Sequence, residues 1–221
     1  MKPVCLVLGA GAGIGGTVAA KFAKEGYHSY LCRRSDEEGL DRLIGNIKEA
    51  GGEASGCLMN AIEENSIEET ITMIEKDIGP IEVLVYNLGA QTGMKLLDQT
   101  SYKEFEWGWR MASFGLFRAA KVLCPLMVER GKGNILVTSA TAAMRGNKNQ
   151  HSHAAAMGAR RMLCQSLNAE FGRQGIHVAH IVVDGAVDAP DTLGKMLGPE
   201  LYQQMRETRG MEHDGLILPE K

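Results

Sequence analysis

The feature that most constrains this fold lies within the first sixteen residues. A short aliphatic run at 4–8 leads without a break into Gly9-Ala10-Gly11-Ala12-Gly13-Ile14-Gly15-Gly16, and an amphipathic stretch near 14–25 follows. Glycines at this density let the chain turn tightly and present backbone N–H groups to a pyrophosphate at the positive end of a helix. Such a pattern is weak evidence alone. Here it sits between a strand-like and a helix-like segment, with a second strand at the expected distance, which is the context the motif requires. The same alternation then runs down the chain. Short branched-aliphatic runs at 4–8, 29–32, 54–58, 83–86, 134–138 and 177–183 are separated by helix-like stretches near 14–25, 36–49, 63–77, 102–130 and 152–173. Runs this short and apolar suit strands buried on both faces. The expected fold is therefore α/β, a single domain built on a doubly wound parallel sheet of Rossmann type, with helices on both faces.

After residue 183 the alternation stops, and Gly185, Pro190, Gly194, Gly198, Pro199, Gly210, Gly215 and Pro219 punctuate the rest. In a doubly wound sheet, chain beyond the C-terminal end of the sixth strand lies where ligands bind. Residues 1–183 are thus expected to form a dinucleotide-binding core, and 184–221 a lid or substrate loop of the same domain.

Composition narrows the function classes. Lys plus Arg number 24 against 27 Asp plus Glu, a net charge of −3 without a basic block, so no nucleic-acid partner is expected. No uninterrupted apolar run reaches the roughly 18 residues of a membrane span, so no membrane partner is expected either. The five cysteines, Cys5, Cys32, Cys57, Cys124 and Cys164, are scattered and odd in number, a pattern of reduced thiols that points to the cytoplasm. His151 and His153 have no cysteine or carboxylate pair at ligand spacing, so no metal site is expected.

The end of the second strand speaks to cofactor type. An NAD site places a carboxylate there to hold the ribose 2′-hydroxyl. This chain has Cys32-Arg33-Arg34 instead, and guanidinium groups suit a 2′-phosphate. NADP(H) is expected in preference to NAD(H).

Several motifs together resemble the short-chain dehydrogenase/reductase family. They are Gly9-x-x-x-Gly13-x-Gly15, Tyr86-Asn87-Leu88-Gly89-Ala90, Val137-Thr138-Ser139-Ala140, the run from Ala154 to Ala159, Gly175-Ile176-His177-Val178, and Asp184-Gly185-Ala186-Val187-Asp188. The resemblance implies that Gly9, Gly11, Gly13, Ile14 and Gly15 contact the cofactor's phosphates, with Asn60 and Ala61 near the adenine. It places Asn87 and Gly89 near the ribose and nicotinamide, and Val187 at the carboxamide. It also implies a homodimer or homotetramer. Family members continue past the point matching Lys221 with a further helix and strand. Either such a segment follows, or the sixth strand is an edge that something else covers.

The family's catalytic set is Asn, Ser, Tyr and Lys, and the chain departs from it. Ser139 matches the Ser. The other three positions hold Ala112, His153 and Met157. A phenol with a pKa near 10 needs a neighbouring ammonium to act near neutrality, whereas an imidazole titrates near ~6.5 unaided. His153 is therefore the candidate acid, Ser139 the candidate partner of a substrate oxygen, and Met157 a replacement that the changed acid tolerates. The reading is an NADP(H)-dependent oxidoreductase acting on a small carbonyl or alcohol. The alternative is a catalytically silent NADP(H)-binding protein, a cofactor sensor or assembly subunit. Arg160, at a position the family fills with an apolar residue, has no explanation in the sequence unless its helix meets an acid on a partner subunit.

Overall fold

The apolar runs pair side by side. In the computed structural model, which describes residues 2–89, 95–208 and 216–219, they form one six-stranded sheet, every neighbouring pair parallel. The strands are β1 (Val4–Leu8), β2 (His28–Arg33), β3 (Glu53–Leu58), β4 (Ile81–Tyr86), β5 (Gly133–Ala140) and β6 (Ile176–Val183), in the order β3-β2-β1-β4-β5-β6. The chain winds outward in both directions from the β1–β4 junction. The crevice beyond the C-terminal ends of these two strands is where such a sheet receives a ligand.

Each crossover carries a helix with one apolar stripe. Helices α1 (Ile14–Lys24) and α2 (Glu37–Glu49) cover one face, burying Cys5, Val7, Leu31, Leu40 and Ile47. On the other face α3 (Ser66–Asp77), α5 (Gly115–Arg130) and α6 (His151–Phe171) close over Leu6, Leu8, Ile71, Leu84, Leu116 and Ile135. All five residues of β1 are fully buried, which explains why that run carries no polar alternation. Local caps fix several helix ends. The Asp36 carboxylate accepts from Gly39 N–H at 3.0 Å to start α2, and Ser101 with Glu104 forms a capping box at α4 (Tyr102–Trp109).

The long segment 102–130 is not a uniform helix. Helix α4 passes through one π turn, Arg110–Phe114, into α5. A π turn breaks the regular pairing of carbonyls, and two here find side-chain donors. Tyr86 donates its hydroxyl to Met111 C=O at 2.5 Å, and Arg160 donates Nε–H to Ala112 C=O at 2.9 Å. Gly115 makes room for this arrangement, since a Cβ there would lie 2.3 Å from the Tyr86 hydroxyl oxygen. The 102–130 stretch is long and apolar enough to cross a membrane by length and mean hydropathy, 1.4, yet 56% of its apolar window is buried inside the protein as a core helix. Trp107 packs on that core, whereas Trp109 on the neighbouring face is exposed.

Beyond β6 the chain folds into short helical pieces, a π turn at Pro190–Gly194, α7 (Lys195–Leu197) and α8 (Pro199–Glu207). Residues 216–219 return beside the start of this segment. Ile217 N–H donates to Ala186 C=O and Asp188 N–H to Ile217 C=O, each at 2.8 Å.

Candidate active site

The glycine loop is held from two sides. Gly9 N–H and Ala10 N–H both donate to the Cys32 carbonyl at 2.9 Å, tying the loop to the end of β2. From β4, Asn87 donates Nδ2–H to the Gly9 carbonyl at 2.9 Å. Gly9 adopts a φ of +96°, and a Cβ there would meet the Asn87 carbonyl oxygen at 2.7 Å, so the turn admits glycine alone. Gly15 lies against the Gly9 carbonyl, where a Cβ would approach to 2.3 Å. Gly11 faces open space, and Gly13 and Ile14 start α1, where the Gly16 and Thr17 N–H groups donate to the Gly11 and Gly13 carbonyls at 2.8 and 3.2 Å. Gly9, Gly11, Gly13, Ile14 and Gly15 are thus gathered into one cradle.

The second wall is formed by the ends of β2 and β3. Arg33 is held by Asp36, with Nη2 at 2.8 Å from Oδ2, while its Nη1 is buried without a hydrogen-bond partner. Arg34 is exposed, and no ion pair ties it among the described residues. Asn60 donates Nδ2–H to Glu63 at 2.9 Å and leaves a buried Oδ1 without a partner. The carbonyl of Ala61 accepts from Arg118 Nη1 at 2.8 Å, and Arg118 is braced by Glu68, whose carboxyl it holds below the usual carboxylate range.

On the opposite side, Ser139 ends β5 almost fully buried and donates its hydroxyl to the Met157 sulfur at 3.7 Å. His153 stands in the first turn of α6, half-buried, four residues before Met157 and hence on the same helix face. Ser139 is therefore directed at the face of α6 that carries His153. Ala112, which the resemblance matches to the family's Asn, is buried in the π turn and offers only its carbonyl, which Arg160 takes. Gly89 is exposed at the mouth of the crevice.

Residues 184–208 approach the cradle from above. A Cβ on Gly13 would lie 3.0 Å from the Ala189 Cβ and 3.9 Å from a Val187 methyl carbon, so Val187 reaches the glycine loop. Asp188 accepts from the Tyr202 hydroxyl and lies 3.5 Å from Arg206 Nε, which ties α8 back to this segment.

Arg160 corrects the expectation of an acid on a partner subunit. It is 2% exposed and serves its own chain. Its guanidinium donates to three carbonyls, Ala112 at 2.9 Å, Thr138 at 2.6 Å and Leu88 at 2.6 Å, and lies 5.2 Å from the Tyr86 ring centroid. It thereby joins the loop after β4, the π turn, the strand leading into Ser139, and α6. The sequence signal was an arginine where an apolar residue belongs. Its carbonyl partners carry no signature. The Asp188–Tyr202–Arg206 tie was also missed; Tyr202 and Arg206 at i, i+4 spacing are its trace in the sequence.

Comparison with known proteins agrees with this fold. The short chain dehydrogenase family model matches residues 3–194. The chain belongs to this family. It is accordingly an oxidoreductase of a family that uses a nicotinamide cofactor. The 7alpha-hydroxysteroid dehydrogenase of Escherichia coli is 28% identical over 200 residues, covering 90% of this chain and 76% of the relative. The 2,3-dihydro-2,3-dihydroxybenzoate dehydrogenase of Bacillus subtilis is 26% identical over 185 residues, covering 84% and 70%. Among solved structures, an actinorhodin polyketide ketoreductase with NADPH superposes with a TM-score of 0.86 at 26% identity, covering 99% of this chain and 86% of that one. A 7 alpha-hydroxysteroid dehydrogenase complexed with NADH and 7-oxo glycochenodeoxycholic acid gives 0.85 at 26% identity, covering 98% and 82%. This short-chain dehydrogenase thus resembles structures that hold either nicotinamide dinucleotide.

Proposed function

We propose that this short-chain dehydrogenase is an NADP(H)-dependent oxidoreductase that reduces a small carbonyl compound or oxidises the matching alcohol. The observation that carries the reading is the Gly9–Gly15 cradle, clamped by Cys32 and Asn87, with two arginines at the end of β2. The residues fit such a cofactor. The positive end of α1, with the N–H groups of Ile14 and Gly15 that have no helical carbonyl to meet, suits a pyrophosphate. The unpartnered Asn60 Oδ1 offers an acceptor on the adenine side, and Arg33 Nη1 with exposed Arg34 offers donors for a 2′-phosphate. Val187 closes over the loop towards the carboxamide.

When bound, the reduced nicotinamide supplies the hydride. The chain's part is to hold and protonate the substrate oxygen. Ser139 is suited to this because its present acceptor, a thioether, is weak and readily exchanged for a carbonyl oxygen. His153 donates the proton, and Met157, one helical turn further on, presents no competing charge. The described part of 184–221, which reaches the glycine loop through Val187 and Ala189, acts as the lid.

The cofactor assignment is tested by titrating the protein with NADPH and NADH and following nucleotide fluorescence. NADPH is expected to bind the more tightly, and Arg33→Ala with Arg34→Ala to erase the difference. Two charge-assisted hydrogen bonds at ~1.5–3 kcal/mol each correspond to a ratio well above tenfold. Equal dissociation constants in the unaltered protein would contradict the assignment.

The same reading includes a homodimer or homotetramer formed through the α4–α5 face. Trp109, Phe114 and Phe117 lie exposed there with their rings stacked, at centroid distances of 5.3 and 6.5 Å. A stripe of this kind suits a self-complementary contact across a two-fold axis. Light scattering at micromolar concentration is expected to give two or four times the chain mass, and Phe117→Glu to give one. A monomer mass for the unaltered protein would refute the contact. The free state of all five cysteines fits a place in the reducing cytoplasm.

A further inference from the structure

The chemistry described above leaves two cysteines unused beside the cofactor cradle. Cys32 on β2 and Cys57 on β3 are registered neighbours on parallel strands, with their sulfurs 3.9 Å apart. Adjacent strands run about 4.8 Å apart, inside the Cα separation of about 4.4–6.8 Å that a disulfide spans. The two thiols are unequal in setting. Cys32, flanked by β1 and β3, is fully buried, while Cys57 lies on the sheet's edge strand and is half-buried. They are unequal in acidity as well. The contact between the two sulfurs holds the Cys57 thiol below its ordinary value, while the same contact and burial hold that of Cys32 well above it. Burial instead pushes up the thiols of Cys5, Cys124 and Cys164. A half-buried thiol on an edge strand, with its pKa lowered and a second thiol in contact with it, is the arrangement of a peroxide-reactive pair.

We propose that Cys57 and Cys32 form a peroxide-reactive dithiol whose disulfide closes beneath the glycine loop. The Cys57 thiolate attacks one oxygen of a hydroperoxide, the O–O bond breaks, and sulfenic acid forms with release of hydroxide or alkoxide. The Cys32 sulfur then attacks the Cys57 sulfur and forms the S–S bond. The sulfenic hydroxyl leaves with the Cys32 proton as water. Two sulfurs are oxidised and one peroxide is reduced.

The site has a direct link to the cradle. The Cys32 carbonyl accepts both the Gly9 and the Ala10 N–H bonds, and Cys57 is followed within three residues by Asn60. Bringing the sulfurs from 3.9 Å to bonding distance requires a closure of roughly 2 Å, shared between the ends of β2 and β3. Oxidation is therefore expected to loosen the loop and weaken NADPH binding roughly two- to tenfold, the effect of about one net hydrogen bond. This coupling rests on the cofactor reading, whereas the dithiol chemistry does not.

The test has two arms. Reduced full-length protein is treated with hydrogen peroxide, denatured, alkylated and mapped by mass spectrometry. The expected result is one intramolecular Cys32–Cys57 disulfide, with Cys5, Cys124 and Cys164 still alkylated. Cys57→Ser should abolish the peroxide-dependent loss of thiols, and Cys32→Ala should leave Cys57 as a sulfenic acid trapped by dimedone. No disulfide, or equal loss at all five thiols, overturns the dithiol. In the second arm NADPH is titrated before oxidation, after it, and after dithiothreitol. Weaker binding that dithiothreitol restores supports the coupling, and unchanged binding across a mapped disulfide overturns it. Reduced protein that does not bind NADPH overturns both the cofactor reading and the coupling, while the mapping still decides the dithiol.

Discussion

Replacing Arg160 with Met is expected to lower the free energy of unfolding by about 2–4 kcal/mol, among the largest effects of any single substitution in the chain. Three carbonyls, those of Leu88, Ala112 and Thr138, would lose their donor in a dry interior. Each such loss costs ~1–3 kcal/mol. Against this stands the desolvation cost of a guanidinium with no carboxylate partner, which the substitution recovers in part. The carbonyls win because three are orphaned at once, and because the Tyr86 ring also loses the cation above it. Arg160→Lys separates this account from a simple need for charge. An ammonium keeps most of the desolvation cost but lacks the planar fork that reaches three directions, so Lys is expected to rescue little. Urea unfolding of the three proteins checks this. A Met variant within 1 kcal/mol of the unaltered protein would show that the three carbonyls are satisfied otherwise.

The second large effect concerns turnover. If His153 protonates the substrate oxygen, His153→Ala should lower the rate of carbonyl reduction by about 10²–10⁴, the usual contribution of general acid catalysis, with NADPH binding little changed. The sign of the pH dependence follows from the role. The protonated imidazole is the active form, so the rate is highest below its titration and falls as pH rises through it. His153→Tyr alone should not restore the rate, since Met157 supplies no cation to bring a phenol towards neutrality. Adding Met157→Lys should improve on it. Turnover that survives His153→Ala undiminished would remove His153 from the mechanism.

Some of this was legible in the sequence, for physical reasons. The β1 run, the glycine turn and the α1 stripe are local patterns, and a strand buried on both faces has little choice but to be apolar throughout. Six such runs separated by helix-length stretches leave a parallel doubly wound sheet as the economical arrangement, and the observed order follows it. Non-local pairings were less legible. Nothing around Arg160 announces that its partners are carbonyls from three other segments. Likewise, the π turn at Arg110–Phe114 depends on Tyr86 and Gly115, which lie on different elements. The pairing of Arg33 with Asp36 was within reach at i, i+3 spacing, and on the proposed NADP(H) reading it would leave 2′-phosphate recognition to Arg34 and the unpartnered Nη1 of Arg33. The Cys32–Cys57 contact needs the β2–β3 register, which alternation of apolar residues does not specify.

The proposed activity requires that a site with His153 and Met157, the residues that the resemblance matches to the family's Tyr and Lys, still transfers a hydride. The most direct measurement incubates the full-length protein with NADPH and a panel of small aldehydes and ketones, following both the absorbance of the reduced nicotinamide and the alcohol formed. The account predicts saturable consumption of NADPH with one alcohol produced per cofactor oxidised, for at least one member of the panel. Measurable NADPH binding without turnover of any carbonyl, and without oxidation of the corresponding alcohols by NADP⁺, would contradict it.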